Sequence, residues 1–160
     1  MPEDAKSISD IRINGWKSAY RGIMKDEYLN NIDYEVGRNR FYERLSNIND
    51  NEKIIVYEDE NKTILGFAVF INLLDQKYDC ELQGLYIEPN NKGKGIGSQL
   101  MNYVINYFKN NNKKSMIIYC LKENYASRKF YEKHNGILSE EEDKEIGGNI
   151  HRVVGYKYNL

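Results

Sequence analysis

Cysteine, proline, histidine and tryptophan are all scarce in this chain, and each scarcity removes a class of protein. Among 160 residues there are 2 cysteines, 2 prolines, 2 histidines and 1 tryptophan. Two thiols, Cys80 and Cys120, cannot build a disulfide framework, and both sit in apolar runs where a free cysteine behaves as a small buried hydrophobe. A reduced, cytoplasmic chain is the expectation. His134 and His151 have no Cys, Asp or Glu at metal-ligand spacing, so no metal site is read. Two prolines beside 12 glycines, with 41% hydrophobic and 29% charged residues, exclude a Pro-rich linker, a collagen-like repeat and a disordered tail. The net charge of −1 leaves no positive field to hold a polyanion by counterion release, so nucleic acid is not expected as the main partner. No apolar run approaches the roughly 18 residues of a membrane span. Met1-Pro2-Glu3-Asp4 is acidic where a secretory leader would be basic, so neither membrane insertion nor secretion is expected.

What is present reads as one domain, residues 1–160, long enough to bury a core without staples. Ile8, Ile11, Trp16, Ala19, Tyr20 and Ile23 recur at three- and four-residue spacing and predict a first helix between Pro2 and Met24. Phe41, Leu45 and Ile48 predict a second, closed by the polar run Asn47 to Asn51. Lys53 to Tyr57, Thr63 to Leu74 and Cys80 to Ile87 are β-branched and aromatic, and predict three successive strands. Gly95 to Phe108 returns to helical period, Met116 to Leu121 reads as a buried strand, and Asn124 to His134 as another helix. Two extended segments joined by Gly147-Gly148 complete the order α-α-β-β-β-α-β-α-β-β, a mixed sheet covered by helices.

The segment Leu85-Tyr86-Ile87-Glu88-Pro89-Asn90-Asn91-Lys92-Gly93-Lys94-Gly95-Ile96-Gly97-Ser98 runs from strand through loop into helix. Its three glycines let the backbone turn with positive φ and bring N–H groups close to an anion. The helix N-terminus adds unpaired donors and partial positive charge, which together make a phosphate cradle. A solvated glycine-rich turn is the plainer alternative. A Walker loop needs Gly-Lys-Ser/Thr after four intervening residues, and a dinucleotide fingerprint needs a third glycine at Ser98; both spacings fail.

Lys92-Gly93-Lys94-Gly95-Ile96-Gly97 resembles the acetyl-CoA signature Arg/Gln-x-x-Gly-x-Gly/Ala of the GNAT superfamily of N-acetyltransferases, with Lys92 standing where Arg or Gln is usual. Downstream, Asn124-x-Ala126-x-x-x-Phe130-Tyr131-Glu132-Lys133, followed by Gly136, resembles the family's Asn-x-x-Ala…Phe-Tyr-Glu-Lys-x-Gly-Phe helix, with Ala126 one residue nearer Asn124 than is usual and Ile137 replacing the Phe. The resemblance implies an α/β fold with a mostly antiparallel central sheet, splayed at the acetyl-CoA-binding strand. Family members begin with a short strand, whereas Pro2-Glu3-Asp4-Ala5 reads as the start of the first helix, so that strand is absent, truncated or supplied otherwise.

The resemblance further implies acetyl-CoA as cosubstrate, held by Leu85, Tyr86, Ile87, Lys92, Gly93, Lys94, Gly95, Gly97, Ser98 and Asn124. It implies a bulge at Gly84, a residue that weakens a strand interior. A primary amine is protonated at neutral pH and needs a proton acceptor before it can attack. Glu81, four residues before Leu85, matches the position of a glutamate base in a number of these enzymes, and strand alternation puts Glu81, Gln83, Leu85 and Ile87 on one face unless a bulge intervenes. A solvated strand-end carboxylate is the alternative. Tyr131 matches the tyrosine that lies near the CoA sulfur and protonates the departing thiolate, or else is a core tyrosine. The acceptor is expected to be a small-molecule or peptide amine, with Trp16 and the tyrosines of the first two helices available to line its site or to pack as core. A homodimer through the last strands is left open, and so is a non-catalytic acyl-CoA-binding domain.

Overall fold

The computed structural model describes residues 1–74 and 76–160. A 3-10 turn, Pro2–Asp4, leads directly into α1 (Ala5–Ala19). Ala5, Ile8 and Ile11 of α1 are buried against Phe67 and Val69 of the sheet, as the helical spacing requires. α1 is shorter than the apolar pattern predicts: Ile23 and Met24 both donate to the Tyr20 carbonyl, and Gly22 turns the chain with φ of 78°. α2 (Asp26–Asn30) is a single short turn that the sequence pattern does not show. α3 (Tyr34–Ser46) begins at Asp33, whose carboxylate accepts from the amides of Glu35 and Val36, an N-cap that fixes where the helix starts.

β1 (Glu52–Glu58), β2 (Ile64–Asn72) and β3 (Cys80–Ile87) form an antiparallel meander. α4 (Ile96–Asn110), β4 (Ser115–Leu121), α5 (Tyr125–Lys133), β5 (Ile137–Ile146) and β6 (Asn149–Asn159) follow, giving one six-stranded sheet in the order β1-β2-β3-β4-β6-β5. Every neighbouring pair is antiparallel except β3 with β4. Gly147 and Gly148 make the β5–β6 turn with φ of 60° and 75°, the left-handed pair that such a two-residue hairpin needs. The tip of this hairpin meets α2, because a Cβ on Gly147 would lie 2.6 Å from the Tyr28 ring.

The sheet separates two apolar layers. On one face, Leu100, Met101, Val104 and Phe108 of α4 are buried, and the larger core cluster joins α4 to Phe70, Leu82, Ile118 and Tyr156. On the other face α1 and α3 cover β1 and β2, while Trp16, Tyr20, Met24 and Leu29 pack toward Leu121 and Val153. Among the described residues no helix is long and apolar enough to cross a membrane.

Candidate active site

The site begins where two parallel strands part. β3 and β4 share only the pairs Cys80↔Met116 and Glu81↔Ile117. Beyond these, β3 pairs only with β2 and β4 only with β6, so the sheet opens into a V. The closed end of the V is pinned by Asp79, whose carboxylate accepts from the amides of Lys114 (2.7 Å) and Ser115 (3.0 Å). Those two donors hold the Asp79 carboxyl below the usual carboxylate range.

Gly84 lies at a bulge: Val69 pairs with Gly84 and Phe70 with Leu82, leaving Gln83 as the extra residue. The extra residue reverses the alternation, because each one-residue slip moves a side chain to the opposite face. Leu82 and Leu85 therefore both join the α4 cluster, and Tyr86 joins the α1 cluster. The bulge implied at Gly84 is present, and it is the condition under which Glu81 and Leu85 do not share a face; Glu81 pairs with Ile71, on the α1 side of the sheet with Val69 and Phe67. Gly84 has a packing reason as well, since a Cβ there would come within 2.5 Å of the Tyr86 ring.

A groove of about 480 Å³ runs through the V from one layer to the other. At the α4 end it is walled by Lys92, Gly93, Gly95, Gly97 and Ser98. Gly93 and Gly95 have φ of 78° and 81°, which only glycine adopts without strain, and a Cβ on either would meet nothing within 4 Å. Backbone conformation, not crowding, therefore requires these two glycines. The amides of Gly93 to Ser98 donate to no other backbone group among the described residues, so the loop and the first turn of α4 present a row of donors. Gly97 serves a different purpose: a Cβ there would sit 3.3 Å from the Phe130 ring, so its smallness lets α4 and α5 approach. Ser98 Oγ lies 3.0 Å from His134 Nε2. Asn124, buried, caps α5 by accepting from the Ser127 amide at 3.2 Å and also lines the groove.

Of the residues expected from sequence, Leu85, Tyr86, Ile87, Lys92, Gly93, Gly95, Gly97, Ser98, Asn124 and Tyr131 all line this groove. Lys94 does not; its ammonium turns to Asn91 Oδ1 at 2.7 Å. Glu81 is not among the lining residues either. It lies deeper in the V on the α1 side, half-buried, close enough to Lys144 and Glu142 of β5 to feel their charge. Burial is the main influence there and raises its carboxyl above the ordinary range. Tyr131 is buried, with Cys120, Tyr20 and Tyr86 near its phenol, and desolvation pushes that phenol far above its usual value. Its backbone carbonyl accepts from the Tyr158 hydroxyl at 2.9 Å, which fixes α5 against β6.

Gln83, Tyr119 and Cys120 line the groove without having been singled out. Tyr119 and Cys120 belong to β4, the second arm of the V, and the signal that points to them is the strand following α4 rather than any motif. Burial pushes the Cys120 thiol up to about 12, so it is no thiolate nucleophile at neutral pH. At the α1 end the walls are Trp16, Ala19, Tyr20, Gly84, Tyr86 and Tyr119. The Trp16 indole N–H donates to the Tyr86 hydroxyl at 3.4 Å, and the Tyr119 hydroxyl donates to Glu140 at 2.7 Å.

The sequence profile of the Acetyltransferase (GNAT) family matches residues 16–137. The uncharacterised N-acetyltransferase YuaI of Bacillus subtilis strain 168 is 26% identical over 155 residues, covering 96% of this chain and 86% of that protein. Among solved structures, the paia N-acetyltransferase of Thermoplasma acidophilum in complex with coenzyme A is similar with a TM-score of 0.72 at 22% identity, over 98% of this chain and 94% of that one. Salmonella typhimurium yncA with its cofactor acetyl-CoA gives 0.70 at 18% identity, over 100% and 90%. At these identities the two structures establish a common fold.

Proposed function

Because the chain belongs to the GNAT acetyltransferase family, we propose that it transfers the acetyl group of acetyl-CoA to a primary amine by direct attack within a ternary complex. The observation that carries this reading is the through-going groove, with an anion cradle at one end and a half-buried carboxylate beside the other. The loop from Lys92 to Ser98 takes the pyrophosphate on its amides, with Lys92 adding charge. Asn124 and the unpaired edge of β3 at Leu85 and Ile87 hold the pantetheine arm. Tyr86, between them, turns its backbone to Phe67 of β2, and its ring faces the opposite layer.

The amine nitrogen attacks the thioester carbonyl carbon; a C–N bond forms and the C–S bond breaks. Glu81 receives the proton that the ammonium sheds, through water because the carboxylate stands off the groove wall. Its raised pKa brings its basicity nearer to that needed for the task. Tyr131 donates to the departing sulfur and recovers the second proton that the nitrogen sheds as the adduct collapses, an assistance and not a requirement, since a thiol with pKa near 8.5 leaves readily at neutral pH.

The test is thiol release from acetyl-CoA with a panel of amines, beside calorimetric titration of acetyl-CoA. Saturable binding and amine-dependent release are expected. Failure of acetyl-CoA to bind at high concentration would overturn the reading. Binding without turnover, unchanged by Glu81→Gln, would instead make the chain a non-catalytic acyl-CoA-binding domain.

A further inference from the structure

The α1 end of the groove contains no charged side chain. Its walls include Trp16, Tyr20, Tyr86, Tyr119 and the uncharged Gln83, and the lysines that touch the groove, Lys92 and Lys133, belong to the α4 and α5 end. Arg12 stacks on the Trp16 ring at 4.4 Å, yet it lines a different recess, between α1 and α3, and does not reach the groove. Some polar tips in the chamber already have partners. The Trp16 indole donates to the Tyr86 hydroxyl, Arg44 donates to the Gln83 side-chain oxygen at 2.7 Å, and the Tyr119 hydroxyl donates to Glu140, while the Tyr20 and Tyr86 hydroxyl protons and the Gln83 amide N–H groups are free among the described residues.

Glu140 and Glu142 of β5, next to the chamber, are paired. Glu140 takes Lys77 at 2.8 Å, and Glu142 takes Lys144 at 3.0 Å, while the Lys144 ammonium also lies over the Tyr119 ring at 4.4 Å. Glu81 has no ion-pair partner within 4.0 Å among the described residues, although the Lys144 charge reaches it. The site therefore offers one carboxylate without a direct ion pair and an aromatic, uncharged lining. A second ammonium on the ligand would be desolvated without a counter-charge, and a ligand carboxylate would face Glu81. A body rich in hydroxyls or peptide groups would outnumber the free partners there, the Tyr20 and Tyr86 hydroxyls and the Gln83 amide, which costs binding whenever such groups are buried unpaired. Aromatic walls instead favour a flat or extended apolar body.

Resting on the acetyl-transfer reading above, we propose that the acceptor is a monoamine carried on an aryl or alkyl body, seated against Trp16, Tyr20 and Tyr86. Polyamines, free amino acids, aminoglycosides and peptide N-termini are the excluded classes.

Two readouts separate this proposal from the reading on which it rests. Trp16 is the only tryptophan in the chain, so its emission reports occupation of the chamber without any chemistry. With CoA present, phenethylamine and hexylamine are expected to change that emission saturably, and spermidine, lysine, kanamycin and a free N-terminal tetrapeptide are not. In the thiol-release assay the kcat/KM for the aryl and alkyl monoamines is expected to exceed that of every other class by about tenfold or more. Trp16→Ala is expected to reduce that advantage while leaving the Kd for acetyl-CoA unchanged. Emission changes with the monoamines but no turnover with any amine would sustain the chamber and sink acetyl transfer. Turnover highest with spermidine, with a peptide or with lysine would sustain acetyl transfer and overturn the monoamine assignment. Equal turnover across all classes would overturn it as well.

Discussion

Burial raises the Glu81 carboxyl, and this has opposite consequences for activity and for stability. Activity requires the ionised form, so the acidic limb of kcat is expected above the ordinary carboxylate range, and Glu81→Gln should remove that limb and lower kcat about 10²- to 10⁴-fold with acetyl-CoA affinity unchanged. Stability runs the other way, because a carboxyl raised in the fold is most favourable when protonated, and ionising it costs stability as pH rises through the folded value. Glu81→Gln should therefore melt higher than the parent near neutral pH, with the gap closing below the unfolded value of about 4.3. Thermal melts at several pH values check this. At Tyr131 the phenylalanine variant should retain substantial activity, kcat falling no more than about tenfold, because the leaving thiolate needs little help. Gly95 provides a separate test of backbone geometry. With φ of 81° and open space around its Cβ position, Gly95→Ala should cost about 1 kcal/mol from conformational strain alone, together with a weaker Kd for acetyl-CoA by calorimetry.

The V between β3 and β4 depends on one end staying shut while the other diverges. Asp79 supplies that closure through two backbone donors on the β4 side. Asp79→Ala leaves those amides unpaired and frees the base of the V, so a lower Tm and a raised Kd for acetyl-CoA are expected together. The carboxyl is held below its usual range, so its stabilisation is present above the unfolded carboxylate value and is lost as pH falls through the depressed one. The Tm difference between parent and Asp79→Ala should accordingly shrink on acidification. β3 itself shows how an element can be legible while its facing is not. Its span, Cys80 to Ile87, is plain in its residue types, but the extra residue Gln83 inverts which layer Leu85 and Tyr86 serve. Glycine at 84 hints at the bulge; only pairing with β2 fixes it, because register is a property of two strands. α2 was illegible for a related reason, since five residues are too few to display a helical period.

At the scale of the molecule, two helical layers are joined by a sheet with an opening through it, and ligand binding should stabilise the whole. At acetyl-CoA concentrations of 100 times Kd, mass action contributes about 2.7 kcal/mol. Since 1 kcal/mol moves the Tm of a chain this size by roughly 2–4 °C, a single transition shifted upward by several degrees is expected in calorimetry, and a shift confined to part of a biphasic melt would contradict one cooperative unit. The sequence by itself determined the succession of strands and main helices and the left-handed glycines at 93 and 95. It also marked the helix starting at Asn124, because these follow from periodicity, backbone freedom and capping, all local along the chain. Tertiary structure alone decided that β4 parts from β3, that Tyr119 and Cys120 become walls, that Lys94 turns aside to Asn91, and that Glu81 stands off the groove. Each of those outcomes depends on which segments come to lie beside one another across tens of residues, and a pattern read along one strand carries no record of its neighbour.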